Sequence, residues 1–274
     1  MLNIVFAITG NNIVSRYRAC EANARLLRLL NKDCKITLIL GNSTADSLSV
    51  KTALFDKVYE TTCSDNQVEF LANSLPRIPG DQIFYLNENL FSFTEIHNAL
   101  GRNLVSGVYI PNQVLDFRGN SIDAAGSWTA QQLMQKHQWP VVMAPAIWFN
   151  KDDKSLEFFS ALEMCASSWH TLGTEHSDAA MANPTLDNIL SFACLTQSEN
   201  YQKTNLLNFR HFGRRDFSRD ANWIHKDWYD WLDTWWVSKD GTYLRVENFR
   251  QQGFVFLGGD YIERVEQWLE KISH

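Results

Sequence analysis

The chain lacks several patterns that would place a protein in a class at once. Its five cysteines lie at least 14 residues apart and form no C-x-x-C pair, which supports neither a zinc ribbon nor a disulfide framework. No apolar run is long enough for a transmembrane helix. Residues 1–6 have no basic region and no cleavage site, so they predict a first strand rather than a signal peptide. We therefore expect a soluble, cytoplasmic protein without membrane contact.

The chain also lacks a basic excess and the common phosphate-binding patterns. Its net charge of −6 argues against a protein that coats nucleic acid, although it leaves room for a local basic patch. The segment Thr-Gly-Asn-Asn at 9–12 matches neither the Walker pattern nor G-x-G-x-x-G. A P-loop kinase or a Rossmann dehydrogenase is therefore not favoured.

Short apolar runs alternate with helical patterns along the chain. Residues 2–9 and 35–40 predict strands on either side of a helix over 15–30, where Ala and Leu recur at helical spacing. Strand, helix and strand in this order predict a parallel α/β sheet. Further strands are predicted at 57–60, 83–86, 104–110 and 141–149, and further helices at 68–75, 156–165, 186–194 and 260–272. Pro145 indicates that its strand is irregular or lies at an edge.

The most informative stretch is the polar triplet that follows the strand 83–86. Asn87, Glu88 and Asn89 place a carboxylate between two amides at the end of a buried strand. Hard cations take oxygen ligands, so such a loop can hold a divalent cation against phosphate oxygens. Ligands of parallel sheets bind beyond the carboxyl ends of the strands, where this loop and the loops after Thr9 and Leu40 are expected to meet. The alternative is a plain polar turn.

The order of these segments resembles that of the GT-A glycosyltransferases, in particular the glycogenin-like branch. That family carries a strand of the type apolar-Tyr-Leu-Asp-x-Asp, to which Phe-Tyr-Leu-Asn-Glu-Asn at 84–89 is similar. Its strand ending in apolar-apolar-Phe-Asn before a helix resembles Ala-Ile-Trp-Phe-Asn at 146–150. A helix near an Asp-Gln pair resembles residues 185–190, and a late His close to Lys and Trp resembles 224–228. The resemblance is one of order and spacing over roughly residues 2–230.

The resemblance implies a fold and an activity. The fold would be α/β and GT-A-like, a Rossmann-like and mostly parallel sheet flanked by helices, with an aromatic-rich C-terminal subdomain. One domain would cover 1–274, with a nucleotide-binding half at 1–110 and an acceptor half with the C-terminal helix at 111–274. The protein would transfer a hexosyl or pentosyl group from a nucleotide-sugar donor, with a UDP-sugar favoured, to a hydroxyl group.

The resemblance also implies a donor site and its residues. The cofactor-binding residues would be Thr9, Asn12, Arg16, Asn87, Glu88 and Asn89. The family's D-x-D has become Asn-Glu-Asn here, so Glu88, Asn89 and His225 are the expected ligands of Mn²⁺ or Mg²⁺, and Asp187 with Glu88 the expected catalytic carboxylates. Glu88→Ala is then expected to abolish transfer and leave the fold intact. Metal-independent donor binding and loss of activity stay open as alternatives. His225 could be a packed or surface histidine rather than a metal ligand, and Asp187 could cap a helix or lie in its first turn rather than act in catalysis.

A basic patch at 208–219 suggests an acceptor. It holds four Arg, one Asp and three Phe. Arginines hold phosphates, and aromatic rings stack on exposed bases at about 1–3 kcal/mol each, which favours DNA. The acceptor would be a hydroxymethylated base of the kind that T-even-like phages glycosylate, and a phage enzyme would act in the host cytoplasm. The expected acceptor-binding residues are Arg210, Arg214, Arg215 and Trp223.

Other readings of the same features stay open. The Phe side chains of the patch could anchor a loop whose Arg residues pair with nearby Asp residues. The Trp cluster at 223–236 would offer stacking faces to a glycan acceptor, or form an aromatic core. The rival function is a catalytically degenerate module that binds a nucleotide or nucleic acid on the same fold. A nucleotidyltransferase is disfavoured because the chain has no Gly-rich loop.

Overall fold

The structure, a computed structural model, describes the chain in ranges separated by gaps. The ranges are 1–10, 12–41, 52–62, 67–93, 95–96, 105–109, 114–115, 121–122, 142–169, 186–196, 201–204, 209–212, 235–238, 240–242, 244–246, 249–251, 253–257 and 259–272.

These ranges contain both strands and helices. The strands are β1 (Leu2–Ile8), β2 (Lys35–Gly41), β3 (Lys57–Thr61), β4 (Gln82–Leu86), β5 (Leu90–Phe93), β6 (Val105–Tyr109), β7 (Val114–Leu115), β8 (Ser121–Ile122), β9 (Val142–Asn150), β10 (Tyr201–Thr204), β11 (Phe209–Phe212), β12 (Trp235–Val237), β13 (Leu244–Val246), β14 (Phe249–Gln251) and β15 (Gly253–Leu257). The α-helices are α1 (Ile13–Leu30), α2 (Gln67–Ser74), α3 (Asp153–Ser167), α4 (Leu186–Thr196) and α5 (Gly259–Ile272). Among the described helices, none has the length and apolar character needed to cross a membrane.

The central sheet has seven strands in the order β10-β6-β9-β4-β1-β2-β3. Strands β4, β1, β2 and β3 are parallel to one another. Strand β9 is antiparallel to both of its neighbours, β4 and β6, and β10 is parallel to β6. All strands of the central sheet except β9 therefore run in one direction. This confirms the mostly parallel sheet expected from the sequence.

Two apolar cores cover the two faces of this sheet. Along β1, Ile4, Phe6 and Ile8 belong to one core, and Val5 and Ala7 to the other, because successive side chains of a strand point to opposite faces. Helices α1 and α5 supply residues to the first core, and α2, α3 and α4 to the second. A strand buried on both faces reads as an unbroken apolar run, which is why β1, β2 and β4 could be predicted.

The strand that contains Pro145 was expected to be irregular or to lie at an edge of the sheet. It is irregular, and it does not lie at an edge. Strand β9 lies between β6 and β4, inside the sheet. Its pairing with β6 shifts register between Gly107, which faces Ile147, and Val108, which faces Met143. Pro145 lies between Met143 and Ile147, inside this bulge. Proline has no N–H to donate to a neighbouring strand, and a bulge interrupts the hydrogen-bond ladder at this point.

A second, smaller sheet continues the chain directly after the polar triplet. Strand β5 begins at Leu90 and pairs antiparallel with β15, which in turn pairs parallel with β11. Residues 87–89 therefore connect β4 of the central sheet to β5 of the small sheet. The triplet is held at both of its ends.

Gly241 is a position where the backbone requires glycine. Its φ is +72°, and an added Cβ would lie 3.2 Å from Cδ1 of Leu26 in α1. We expect Gly241→Ala to lower the free energy of unfolding by about 2 kcal/mol, because left-handed backbone costs other residues about 1–2 kcal/mol and the contact adds to it. Gly10→Ala is the control: its φ is +80°, with no atom within 4 Å of the added Cβ. Urea unfolding of both variants checks this, and equal losses would show that the contact contributes nothing.

Candidate functional site

The candidate site lies at the carboxyl ends of β1 and β4. The chain leaves β1 through α1 to reach β2 on one side, whereas β4 pairs with β1 on the other side. The order of strands therefore reverses at β1, and the crevice outside such a reversal point is where open α/β sheets bind ligands. The loop after Ile8 and the loop after Leu86 border this crevice.

Arg16 joins the two loops across the crevice. Its Nε donates to Oε1 of Glu88 at 2.6 Å, and its Nη1 donates to the backbone carbonyl of Thr9 at 2.5 Å. The Glu88 side chain is 6% exposed and that of Arg16 is 19% exposed. The guanidinium has N–H groups beyond the two used in these bonds. The structure thus brings together Thr9, Arg16 and Glu88, three residues that the sequence had assigned to one site.

The ion pair shifts the pKa of groups around it. Burial of the Arg16 guanidinium acts to lower its pKa, while the Glu88 carboxylate and its hydrogen bond act to raise it, and the net pKa lies above the ordinary value. Burial, together with the nearby Glu88 carboxylate, raises the pKa of the Cys20 thiol well above its usual range. Arg16 therefore stays charged, and Cys20 stays a neutral thiol that is a poor nucleophile.

The side chain of Asn23 holds the backbone at Glu88 and Leu90. Its side-chain nitrogen donates to the carbonyl of Leu90 at 2.7 Å and to that of Glu88 at 3.4 Å, and the residue is fully buried. Sequence reasoning missed this residue. The signal for it was present, because Asn23 lies one helical turn from both Ala19 and Leu27 on the apolar face of α1, where an amide needs a partner.

Turns built by asparagine shape both loops. The backbone N–H of Asn89 donates to Oδ1 of Asn87 at 3.0 Å, and the N–H of Leu90 donates to the Asn87 carbonyl at 2.9 Å. These two bonds form an Asx turn within a β-turn. In the other loop, Asn12 has a φ of 60°, a left-handed conformation that Asn tolerates better than most residues. Its carbonyl accepts from the N–H of Arg16 at 3.1 Å, which starts α1.

No family model matches the chain, and no curated protein matches it. The galactosyltransferase LgtC, solved in complex with donor and acceptor sugar analogs, matches with a TM-score of 0.51 and 12% identity over 99% of this chain and 96% of that chain. The fold is the GT-A fold. An active-site mutant of LgtC matches with a TM-score of 0.50 and 11% identity, over 97% and 95% of the two chains.

A further match covers a smaller share of the other chain. The glycosyltransferase GlyE of Streptococcus pneumoniae TIGR4 matches with a TM-score of 0.45 and 14% identity over 74% of this chain. The aligned part is 46% of the GlyE chain, so this chain spans less than half of that protein. The glycogenin-like branch within the GT-A fold stays a prediction.

The described residues of this site do not by themselves fit a divalent cation. Oε1 of Glu88 accepts from Arg16, and Oε2 is enclosed without a hydrogen-bond partner. Asn87 and Asn89 are half-buried amides, and Oδ1 of Asn87 is already bonded. The described ranges hold no group of three His, Cys, Asp or Glu side chains arranged for a metal. A metal role for Glu88 would require its carboxylate to leave Arg16, and it stays a prediction.

Several predicted site residues lie outside the described part of the chain. His225, Arg214, Arg215 and Trp223 fall in the gaps between the described ranges. Asp187 lies in the first turn of α4 and Arg210 lies in β11, but the described part does not include their side chains. Their roles as metal ligand, acceptor contacts and catalytic carboxylate stay predictions.

A cavity lies elsewhere on the sheet, between β3 and α2. It has a volume of about 430 Å³ and is lined, among others, by Tyr59 and Thr61 of β3, by Asn73 of α2 and by Arg77, which follows α2. None of the predicted site residues lines it. The crevice at the carboxyl ends of β1 and β4 therefore stays the candidate site.

Proposed function

We propose that this protein is a glycosyltransferase that binds a nucleotide sugar in the crevice at the carboxyl ends of β1 and β4 and transfers the sugar to a hydroxyl group. The observation that carries the proposal is Arg16, which is fixed between Thr9 and Glu88 at the reversal point of a GT-A sheet. The fold match to LgtC, a galactosyltransferase solved with donor and acceptor sugar analogs, supports a sugar donor.

The chemistry of transfer assigns a role to each part of the crevice. The bond between the anomeric carbon and the diphosphate oxygen breaks. The leaving diphosphate gains negative charge, which a cationic group must stabilise. Arg16 is the cationic group at this position. Thr9 and Asn12 on one side and Asn87 and Asn89 on the other would contact the nucleoside and ribose. Asp187 would be the carboxylate near the reacting centre. We favour a UDP-sugar with a hexosyl or pentosyl group.

Two acceptors are compatible with this activity. The residues Arg210, Arg214, Arg215 and Trp223 would hold a DNA acceptor with a hydroxymethylated base, as in phage DNA modification. The Trp cluster at 223–236 would instead stack against a glycan. The two are distinguished by incubating the enzyme and its donor with hydroxymethylated DNA or with oligosaccharides. Mass spectrometry then shows which acceptor has gained a sugar.

A nucleotide-binding module without transferase activity is the second candidate function. It is favoured by one observation: the carboxylate in the polar triplet is held by Arg16 rather than presented to the crevice. Such a module would bind the nucleotide sugar and neither hydrolyse it nor transfer its sugar. Release of free sugar from the donor, even slow, would contradict it.

The first experiment is a thermal-shift panel of nucleotide sugars and nucleoside diphosphates, with and without Mn²⁺ or Mg²⁺. We expect one nucleotide to raise the melting temperature, because a ligand at 100 times its Kd stabilises the folded state by about 2.7 kcal/mol. The matching sugar donor should then be consumed in the presence of an acceptor. A panel in which no nucleotide shifts the melting temperature would contradict the proposed function.

A further inference from the structure

The guanidinium of Arg16 is held in one orientation in the crevice. Nε of Arg16 is engaged by Glu88 and Nη1 by the Thr9 carbonyl, so two sides of the planar group are fixed. Among the described residues the guanidinium has no third hydrogen-bond partner, and the Arg16 side chain is 19% exposed. A planar donor held in this way loses little side-chain entropy when an anion binds.

The alternative source of positive charge, a divalent cation, lacks suitable ligands among the same residues. A cation such as Mg²⁺ is usually bound by one or two carboxylates together with the phosphates of the substrate. The described crevice has one carboxylate, Glu88, which is 6% exposed and lies 2.6 Å from Arg16. Withdrawing it from Arg16 would leave a largely buried guanidinium without a counter-charge, which is unfavourable.

We propose that this site binds the diphosphate of a nucleotide without a divalent cation, with Arg16 meeting the phosphate charge and Glu88 acting as the residue that positions Arg16. The inference rests on the proposed function and specifies how its donor is held. Arginine suits this role because its donors match two phosphate oxygens at once. Glu88 orients the guanidinium, and its charge also offsets part of the attraction for the diphosphate.

The direct test is isothermal titration calorimetry of UDP, GDP, ADP and CDP, in EDTA and in Mn²⁺. For the nucleotide that binds most tightly, we expect the two Kd values to agree within about threefold. Arg16→Gln should weaken binding in EDTA at least tenfold, since it removes a bidentate charged contact. Arg18→Gln is the matched control, because Arg18 lies two residues further on α1 and pairs with Glu266 at the surface, and its Kd should stay within twofold of wild type.

Glu88→Gln separates a positioning residue from a metal ligand by the sign of its effect. The glutamine oxygen can still accept from Nε of Arg16, while the offsetting charge is gone. We therefore expect binding in EDTA to tighten by roughly threefold or more. A metal ligand would behave in the opposite way, with weaker binding in Mn²⁺. The double variant Arg16→Gln with Glu88→Gln has no unpaired buried charge, and it should lose the nucleotide even if Arg16→Gln alone folds poorly.

The outcomes distinguish the two proposals. Binding that falls at least tenfold when Mn²⁺ is replaced by EDTA overturns the cation-free site and leaves the proposed function in place. Binding by the double variant that equals wild type also overturns it, because Arg16 then contributes nothing. If none of the four nucleotides binds in either buffer, the proposed function fails together with this inference.

Discussion

Glu88→Ala is expected to lower the free energy of unfolding by about 3 kcal/mol. The substitution removes the counter-charge of a guanidinium whose side chain is only 19% exposed, and breaking a buried pair by removing one partner costs about 3–5 kcal/mol. Because Arg16 keeps some contact with water, the lower end of that range applies. Unfolding in urea, followed by tryptophan fluorescence and circular dichroism, measures the loss.

The chain offers a matched control for this experiment. Arg18 and Glu266 form an ion pair with the same 2.6 Å separation, but their side chains are 47% and 23% exposed. Exposed pairs contribute about 0–1 kcal/mol, so Glu266→Ala should cost less than about 1 kcal/mol. Equal losses for the two variants would contradict the stabilising role of the buried pair. Replacing both buried partners, as in Arg16→Met with Glu88→Leu, should recover much of the stability lost in Glu88→Ala.

Asn23→Asp is expected to cost at least about 3 kcal/mol at neutral pH. The Asn23 side-chain nitrogen donates to two backbone carbonyls in a fully buried position. A carboxylate of the same shape has no N–H to donate, and it places a negative charge against those two carbonyl oxygens and near Glu88. The same urea unfolding measures the loss. The deficit should shrink as the pH falls, since a protonated carboxyl can donate one hydrogen bond again.

Asn73 provides the control for the second prediction. Its side-chain nitrogen also donates to two oxygens, the Glu69 carbonyl at 3.0 Å and Oε1 of Glu163 at 2.9 Å, but the residue is only half-buried. Water can replace the lost bonds there and screen the new charge, so Asn73→Asp should cost less than about 1 kcal/mol. A loss of similar size in both variants would show that the burial of Asn23 is not what matters.

Local sequence patterns were enough to predict the part of the fold that surrounds the site. Strands β1, β2 and β4 are apolar runs buried on both faces, and α1 shows its helical spacing of Ala and Leu, so each carries a strong local signal. A parallel sheet places the carboxyl ends of neighbouring strands at one edge. That rule predicted that the loops after Thr9, Leu40 and Leu86 would meet, and the contacts of Arg16 join the first and the last of them. Residues 42–51, after Leu40, lie outside the described residues.

The features that could not be predicted depend on pairing between distant segments or on the direction of one side chain. The small sheet pairs Phe91 with Val255, two residues that no local pattern relates. The polar triplet is too short to have a period, so its sequence does not say that Glu88 turns towards Arg16 and into the interior. The expectation that Glu88→Ala would leave the fold intact gave this carboxylate no part in stability, and its buried ion pair with Arg16 now predicts a loss of stability.

The pairing of β5 with β15 has a consequence for how the protein is made. Residues from β15 and α5, such as Phe254, Val265 and Leu269, share one core with β1 and α1. Domains fold as units while the ribosome adds residues from the N-terminus onwards. The layer beneath α1 therefore stays open to chaperones and proteases until residues 253–272 have left the ribosome, long after Arg16 and Glu88 have been synthesised. A ribosome-stalled chain that ends before β15 should thus be cleaved readily in α1, although every described residue of the crevice is already present.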